Sequence, residues 1–229
     1  MSLSDGLKEY LYEQGAELVG FADLPFLTNA AFHKGIAVAV SLPVSVVAEI
    51  GNGPTRGYFD AYHDLEAKLS EVALSCEDFL NRLGYPAFAQ ISQRIREDEN
   101  WCTEVPHKTV ATNAGLGWIG KNNLLVTQEF GSAIRLVSIL TDAPLVCGEP
   151  VTQSRCGSCT RCVDACPAQA LKGKAWDVHT ERDEMVDVHV CQKKQVEVTR
   201  QCTGIETEFL CGRCFSVCPW TQKWMKSKS

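Results

Sequence analysis

The sequence predicts an α/β or α+β fold followed by a small domain organised by cysteine. Three observations carry this expectation. Helical and strand patterns alternate through residues 1–144. Ten of the 12 cysteines fall between Cys147 and Cys218. After Pro144 the apolar periodicity fades and short, cysteine-punctuated stretches replace it. The expected division is an α/β domain over 1–144, with room for a cofactor or substrate, and a cluster-bearing domain over 145–229.

The 229 residues suffice for a genuine core. A hydrophobic share of 45% and a charged share of 22% are ordinary for a globular chain. They exclude disorder, collagen-like and coiled-coil classes. The net charge of −6 argues against nucleic acid and anionic membranes as partners. The start, Met1 to Asp5, carries no basic or long apolar leader. The longest strongly apolar run, Gly35 to Val47, contains serine and proline and is too short to span a bilayer. The expected location is the cytoplasm, with cysteines held reduced or bound to metal.

Leu3, Leu7, Tyr10 and Leu11 recur at helical spacing, so residues about 3–15 form an amphipathic helix. Glu17 to Ala22 is a short strand. Gly35 to Pro43 is a continuous Val/Ile-rich run, as in an interior strand covered on both faces. Gly51 to Gly57 is a loop by its turn residues. Tyr58 to Leu83 is a long helix whose stripe runs Tyr62, Leu65, Leu69, Val72, Cys76, Phe79, Leu80, and Gly84 stops it. Cys76 reads as a core residue on that stripe. Arg94 to Asn100 is a solvated loop. Pro106 opens a short helix through Ala114. Asn123–Thr127 and Ala133–Leu140 read as strands around a turn at Phe130-Gly131-Ser132.

The strongest signal is Cys156-Gly-Ser-Cys159-Thr-Arg-Cys162-Val-Asp-Ala-Cys166-Pro167. This C-x2-C-x2-C-x3-C-P spacing is the ferredoxin run for a [4Fe–4S] cluster. Three cysteines two residues apart on a curled loop reach three corners of one cube. The fourth lies too far along and ligates a second cluster. A second set exists: Cys211-Gly-Arg-Cys214-Phe-Ser-Val-Cys218-Pro219. Glu208 stands where that set would begin, so its missing ligand comes from upstream, from Cys191 or Cys202. The expected partition gives one cluster Cys156, Cys159, Cys162 and Cys218. The other takes Cys166, Cys211, Cys214 and the upstream cysteine. Structural zinc competes, but zinc asks for four ligands, and the two C-P endings at ferredoxin spacing favour iron–sulfur. Cys102 and Cys147 read as spare thiols. Two clusters imply one-electron transfer to a terminal acceptor, either a partner or a cofactor in the first domain.

Ala114-Gly115-Leu116-Gly117-Trp118-Ile119-Gly120-Lys121-Asn122 contains G-x-G-x-x-G. A dinucleotide fingerprint follows a strand and opens a helix. Here a helical piece precedes and a strand follows, so a Rossmann site is disfavoured. Gly115, Gly117 and Gly120 permit close approach of backbone to a flat cofactor or a neighbouring element. Lys121 and Asn122 offer an anion partner and an amide to a cofactor's edge. The plainer reading is a packed turn with an exposed lysine.

The segment from Ala114 to Asn122, followed by Leu124-Leu125, Gly131-Ser132 and Leu140-Thr141-Asp142, resembles the core signature of epoxyqueuosine reductases. So does the order of the two cysteine motifs with a lone cysteine between them and Cys218-Pro219-Trp220 at the end. The helix with Tyr62-His63-Asp64 is similar as well. The resemblance implies a nitroreductase-like cobalamin-type domain joined to a ferredoxin-like double [4Fe–4S] domain, a plan shared with reductive dehalogenases. It favours Cys191 over Cys202. It implies that electrons from a low-potential donor such as a ferredoxin or flavodoxin pass through the clusters to a corrinoid, which reduces the substrate. The family's proton-donating aspartate is replaced here: Glu104 and His107, in Cys102-Thr-Glu-Val-Pro-His-Lys108, are the expected catalytic substitutes. Gly115, Leu116, Gly117, Trp118, Ile119, Gly120, Lys121 and Asn122 are the expected cofactor contacts. The chain ends soon after Trp220, without the family's helical-repeat tail for tRNA. With the acidic charge, this points to a small molecule or a partner-bound corrinoid as substrate. Two rivals stand beside this reading: an electron carrier without catalysis, and a reductase using FMN.

Overall fold

A computed structural model describes residues 2–27, 32–51 and 53–228. Asn52, inside the expected 51–57 loop, lies outside the described residues. In chain order the elements are α1 (Leu3–Glu13), β1 (Leu18–Asp23), β2 (Lys34–Ser41), α2 (Val44–Glu49), α3 (Arg56–Arg82), β3 (Ala87–Ala89) and α4 (His107–Asn113). They continue with β4 (Trp118–Ile119), β5 (Leu125–Val126), β6 (Ile134–Thr141), α5 (Arg161–Asp164), α6 (Arg182–Met185), α7 (Val188–Thr203), α8 (Arg213–Ser216) and α9 (Pro219–Lys228). The chain forms two compact units: residues 1–41, 65–117 and 135–151, and residues 42–64, 118–134 and 152–229. Among the described residues, no helix is long and apolar enough to cross a membrane.

The first unit is built on a four-stranded sheet in the order β1-β2-β6-β3. β1 and β2 are antiparallel, with Leu18 opposite Ala39 and Asp23 opposite Lys34. β3 and β6 are antiparallel too. β2 is an interior strand and buries Gly35 through Val40, as its unbroken apolar run predicts. α1 starts at a capping box in which the Ser2 hydroxyl accepts from the Asp5 amide, and it buries Leu7 and Leu11. These join Val19, Ile36, Val38, Leu69, Val72, Leu80 and Ile139 in one core. Cys76 is fully buried there, and burial pushes its thiol up to about 12. α4 lies so close to the sheet that side chains do not fit beneath it. A Cβ on Gly35 would stand 2.6 Å from Val110, and one on Gly20 would stand 2.9 Å from Ala114.

The second unit holds short helices, loops and the β4–β5 hairpin. One of its buried clusters joins Cys162 to Ala170, Leu171 and Val186. The long α7 departs from the expectation of short loops after residue 145. Its only buried residues are Val198 and Thr199, so it offers little apolar periodicity to read. Its ends are nonetheless well specified. The Asp187 carboxylate accepts from the Val190 amide, and Gly204 closes the helix at φ 71°.

Candidate metal centre and its surroundings

The eight motif cysteines all lie in the second unit, reduced and without disulfides. Cys156, Cys159 and Cys162 sit on the turn that opens α5, where the Cys159 amide donates to the Cys156 carbonyl at 3.2 Å. Burial first, then Cys156, Cys218 and Cys159 as electrostatic neighbours, pushes the Cys162 thiol up to about 11. The thiol of Cys191, in the first turn of α7, is raised by burial, with Cys166 beside it. Cys211 is raised by burial, with Cys191 and Cys166 as neighbours. Cys214 is raised most by burial, then by Cys211, Cys191, Cys162 and Cys166. Cys166, Cys191, Cys211 and Cys214 are thus linked as electrostatic neighbours, and Cys162 is also among those of Cys214. Cys166, Cys191 and Cys214 pack against the buried cluster that contains Cys162.

Bare thiolates packed in this way would pay for burial and for mutual repulsion. A cationic iron–sulfur core removes both costs, because a coordinating thiol is deprotonated outright. The donor chemistry thus fits two clusters. Among the described residues, no three His, Cys, Asp or Glu side chains converge on a point that would hold a single ion. A cube of iron and sulfide asks its thiolates to stand apart at the corners instead.

Cys202 lies elsewhere. It is exposed, and a Cβ on Gly53 would fall 2.6 Å from its sulfur. Glu208 pairs with His63 at 2.5 Å. The loop that returns to Cys211 is fastened by Thr199, whose buried hydroxyl donates to the Leu210 carbonyl at 2.8 Å and accepts from its amide at 3.0 Å. Neither residue type nor spacing marks Thr199 in the sequence.

The glycine-rich segment turns inward. Gly115 takes φ 78°, and a Cβ there would stand 2.8 Å from the Glu149 carbonyl, so packing within the first unit accounts for this glycine. At Gly120 a Cβ would meet the Asn122 side chain at 2.6 Å and Val126 at 2.7 Å. Trp118, Ile119 and Gly120 are buried, while Gly115 is exposed, Gly117 buried and Leu116 half-buried. Lys121 corrects the expectation of an exposed lysine. It is only 8% exposed, and its ammonium donates to the carbonyl of Gly157 at 2.9 Å. The burial follows from the hairpin turn, which directs the side chain at the first cysteine loop. Asn122 donates to the Ser132 hydroxyl at 2.9 Å, and the Ser132 amide donates to the Thr221 hydroxyl at 3.1 Å. Trp118 packs edge-on against Trp220, with ring centres 5.0 Å apart, and the Arg155 guanidinium lies 5.5 Å from its ring centre.

In the first unit His107 opens α4 behind Pro106. Its Nδ1 is 2.7 Å from the Ser138 hydroxyl, which also accepts from the Gln90 amide at 2.6 Å. The Ser138 hydroxyl, with one donor hydrogen and two acceptor sites, can accept from Gln90 and still bond Nδ1. His107 is half-buried. Burial chiefly, with Arg135 adding and Glu66 opposing, lowers its pKa to about 4. Glu66 and Arg135 form an ion pair. Glu104 is exposed three residues earlier. Ser138 and Gln90 went unread in the sequence because a strand serine and a loop glutamine carry no motif.

Residues 155–221 match the family described as a 4Fe-4S double cluster binding domain. The chain carries such a domain. It is similar to the epoxyqueuosine reductase of Synechococcus sp. (strain RCC307), at 27% identity over 99% of this chain and 78% of that protein. The epoxyqueuosine reductase of Lactococcus garvieae is 38% identical over half of this chain and 29% of its own length. Among solved structures, an epoxyqueuosine reductase bound to a modified tRNA-Tyr stem loop superposes with a TM-score of 0.66 at 21% identity, over 96% of this chain and 65% of its own. A catabolic reductive dehalogenase superposes at 0.72 and 18% identity, over 97% of this chain and 33% of its own. The chain thus spans less than two thirds of these solved chains and under half of the Lactococcus relative. At these identities the superpositions establish a shared mixed helix-and-sheet fold, the class that the sequence predicts. The compact units of the structure interleave along the chain, residues 42–64 and 118–134 grouping with 152–229.

Proposed function

We propose that this protein is an iron–sulfur oxidoreductase of the cytoplasm that works with a corrinoid, its residues 1–144 serving the reaction and residues 145–229 the electron supply. The grouping of eight buried or half-buried cysteines into two sets of four carries this reading. Cys156, Cys159, Cys162 and Cys218 hold one cluster; Cys166, Cys191, Cys211 and Cys214 hold the other. When bound, the clusters supply one-electron transfer and the corrinoid a strongly reducing metal. Gly115 and Leu116, the accessible part of the glycine segment, contact the corrinoid, while Trp118 to Asn122 brace the turn from inside. His107, neutral at physiological pH, hydrogen-bonds the substrate through its imidazole, and Glu104 delivers a proton from solvent. Electrons come from a ferredoxin or flavodoxin.

The substrate is a small molecule or a corrinoid on a partner. Similarity to epoxyqueuosine reductases favours a second substrate reading, an epoxide carried on tRNA, which the net charge of −6 opposes. Anaerobically purified protein should contain about eight irons per chain and shift added cobalamin to its base-off spectrum without binding FMN. Four irons would refute the two-cluster reading. Binding of neither cofactor would make the protein an electron carrier, and binding of FMN alone a flavin reductase.

A further inference from the structure

We infer that Lys121 sets the reduction potential of the cluster held by Cys156, Cys159, Cys162 and Cys218; this rests on the ligand assignment proposed above. The ammonium is almost wholly enclosed, and its acceptor, the Gly157 carbonyl, belongs to the residue directly after Cys156. A buried ammonium whose partner is a neutral carbonyl is costly unless opposite charge lies close by. Four thiolates around an iron–sulfur core supply that charge. The attraction works in both directions. The cluster accepts one electron from the donor, which leaves oxidised, and the cluster becomes more negative by one unit. A fixed cation nearby stabilises that reduced state and raises the potential, and more so where water is excluded.

The same loop offers an internal contrast. Arg155, the residue before Cys156, also carries positive charge, but it is exposed beside the Trp118 ring. Water screens an exposed charge far more than an enclosed one. Lys121 should therefore dominate although both cations flank one loop.

The test is a potentiometric titration of the anaerobic, cluster-loaded protein followed by electron paramagnetic resonance. Lys121→Gln should keep about eight irons and lower the midpoint of one cluster by at least ~59 mV, a tenfold change in a one-electron equilibrium. The other cluster should stay within that margin, and so should both clusters in Lys121→Arg and Arg155→Gln. Unchanged midpoints in an iron-replete Lys121→Gln protein overturn the inference while leaving the ligand assignment intact. Fewer than eight irons in the wild type overturn the assignment instead. If Lys121→Gln sheds iron, Lys121→Met is titrated in its place. Iron loss in both uncharged variants, with retention in Lys121→Arg, would make the lysine a structural clamp and overturn the tuning role.

Discussion

Replacing Gly131 with alanine should damage the cluster unit far beyond the size of one methyl group. Gly131 adopts φ 63°, and a Cβ there would stand 2.2 Å from the backbone nitrogen of Thr221 and 2.5 Å from its hydroxyl. Thr221 is fully buried in the first turn of α9, just after Cys218, and its hydroxyl accepts from the Ser132 amide. Three costs add. The left-handed backbone costs a residue with a side chain about 1–2 kcal/mol. Pushing α9 aside costs about 1–3 kcal/mol as overpacking. The Ser132–Thr221 hydrogen bond is worth about 1 kcal/mol. The sum is roughly 3–6 kcal/mol. Gly204→Ala is the control: its φ is 71°, and nothing lies within 4 Å of the added atom, so backbone strain of about 1–2 kcal/mol is all it meets. Bleaching of the cluster absorption in a urea series, under anaerobic conditions, measures both variants. Gly131→Ala should bleach at clearly lower urea than Gly204→Ala. Equal midpoints would refute the claim that close approach, rather than dihedral angle, demands glycine at 131.

His107 binds a proton only near pH 4 in the folded protein, against an ordinary value of 6.5. Between those values the unfolded chain holds more protons than the folded one, so stability falls as pH drops from 6.5 toward 4 and the loss is complete below 4. The full effect is at most about 3 kcal/mol, and unfolding curves of His107→Asn across this range should show a visibly flatter dependence than the wild type. A matched pair tests the upstream ligand: Cys191→Ser should lower iron from about eight to about four per chain, whereas Cys202→Ser should leave it unchanged. Iron analysis giving the reverse pattern would transfer the ligand role to Cys202.

Much of the fold was legible because single elements carry unmixed signals. The run from Gly35 to Leu42 has no polar alternation except Ser41, and it becomes a strand buried on both faces. The stripe of α3 from Leu65 to Leu80 needs only the helical period. Cysteine spacing proposes two sets before any coordinates exist, on the rule that the fourth cysteine of the ferredoxin run ligates a second cluster. α7 escaped notice because most of its surface faces water and its stability comes from caps and the Thr199 fastening. The inward turn of Lys121 could not be read, since lysine type predicts exposure and the acceptor lies 36 residues away in sequence. The Gln90–Ser138–His107 chain joins three separate elements and leaves no local pattern.

The edge-on contact of Trp118 with Trp220 also bears on biosynthesis. The two indoles are separated by about a hundred residues, so a ribosome adding roughly 5–20 residues per second needs about 5–20 s to travel from one to the other. During that interval the 118–134 stretch has emerged without the segment that will cover it. The nascent chain must present an uncovered tryptophan to chaperones and proteases, and iron–sulfur delivery has to be timed to follow the last of its cysteines out of the ribosome.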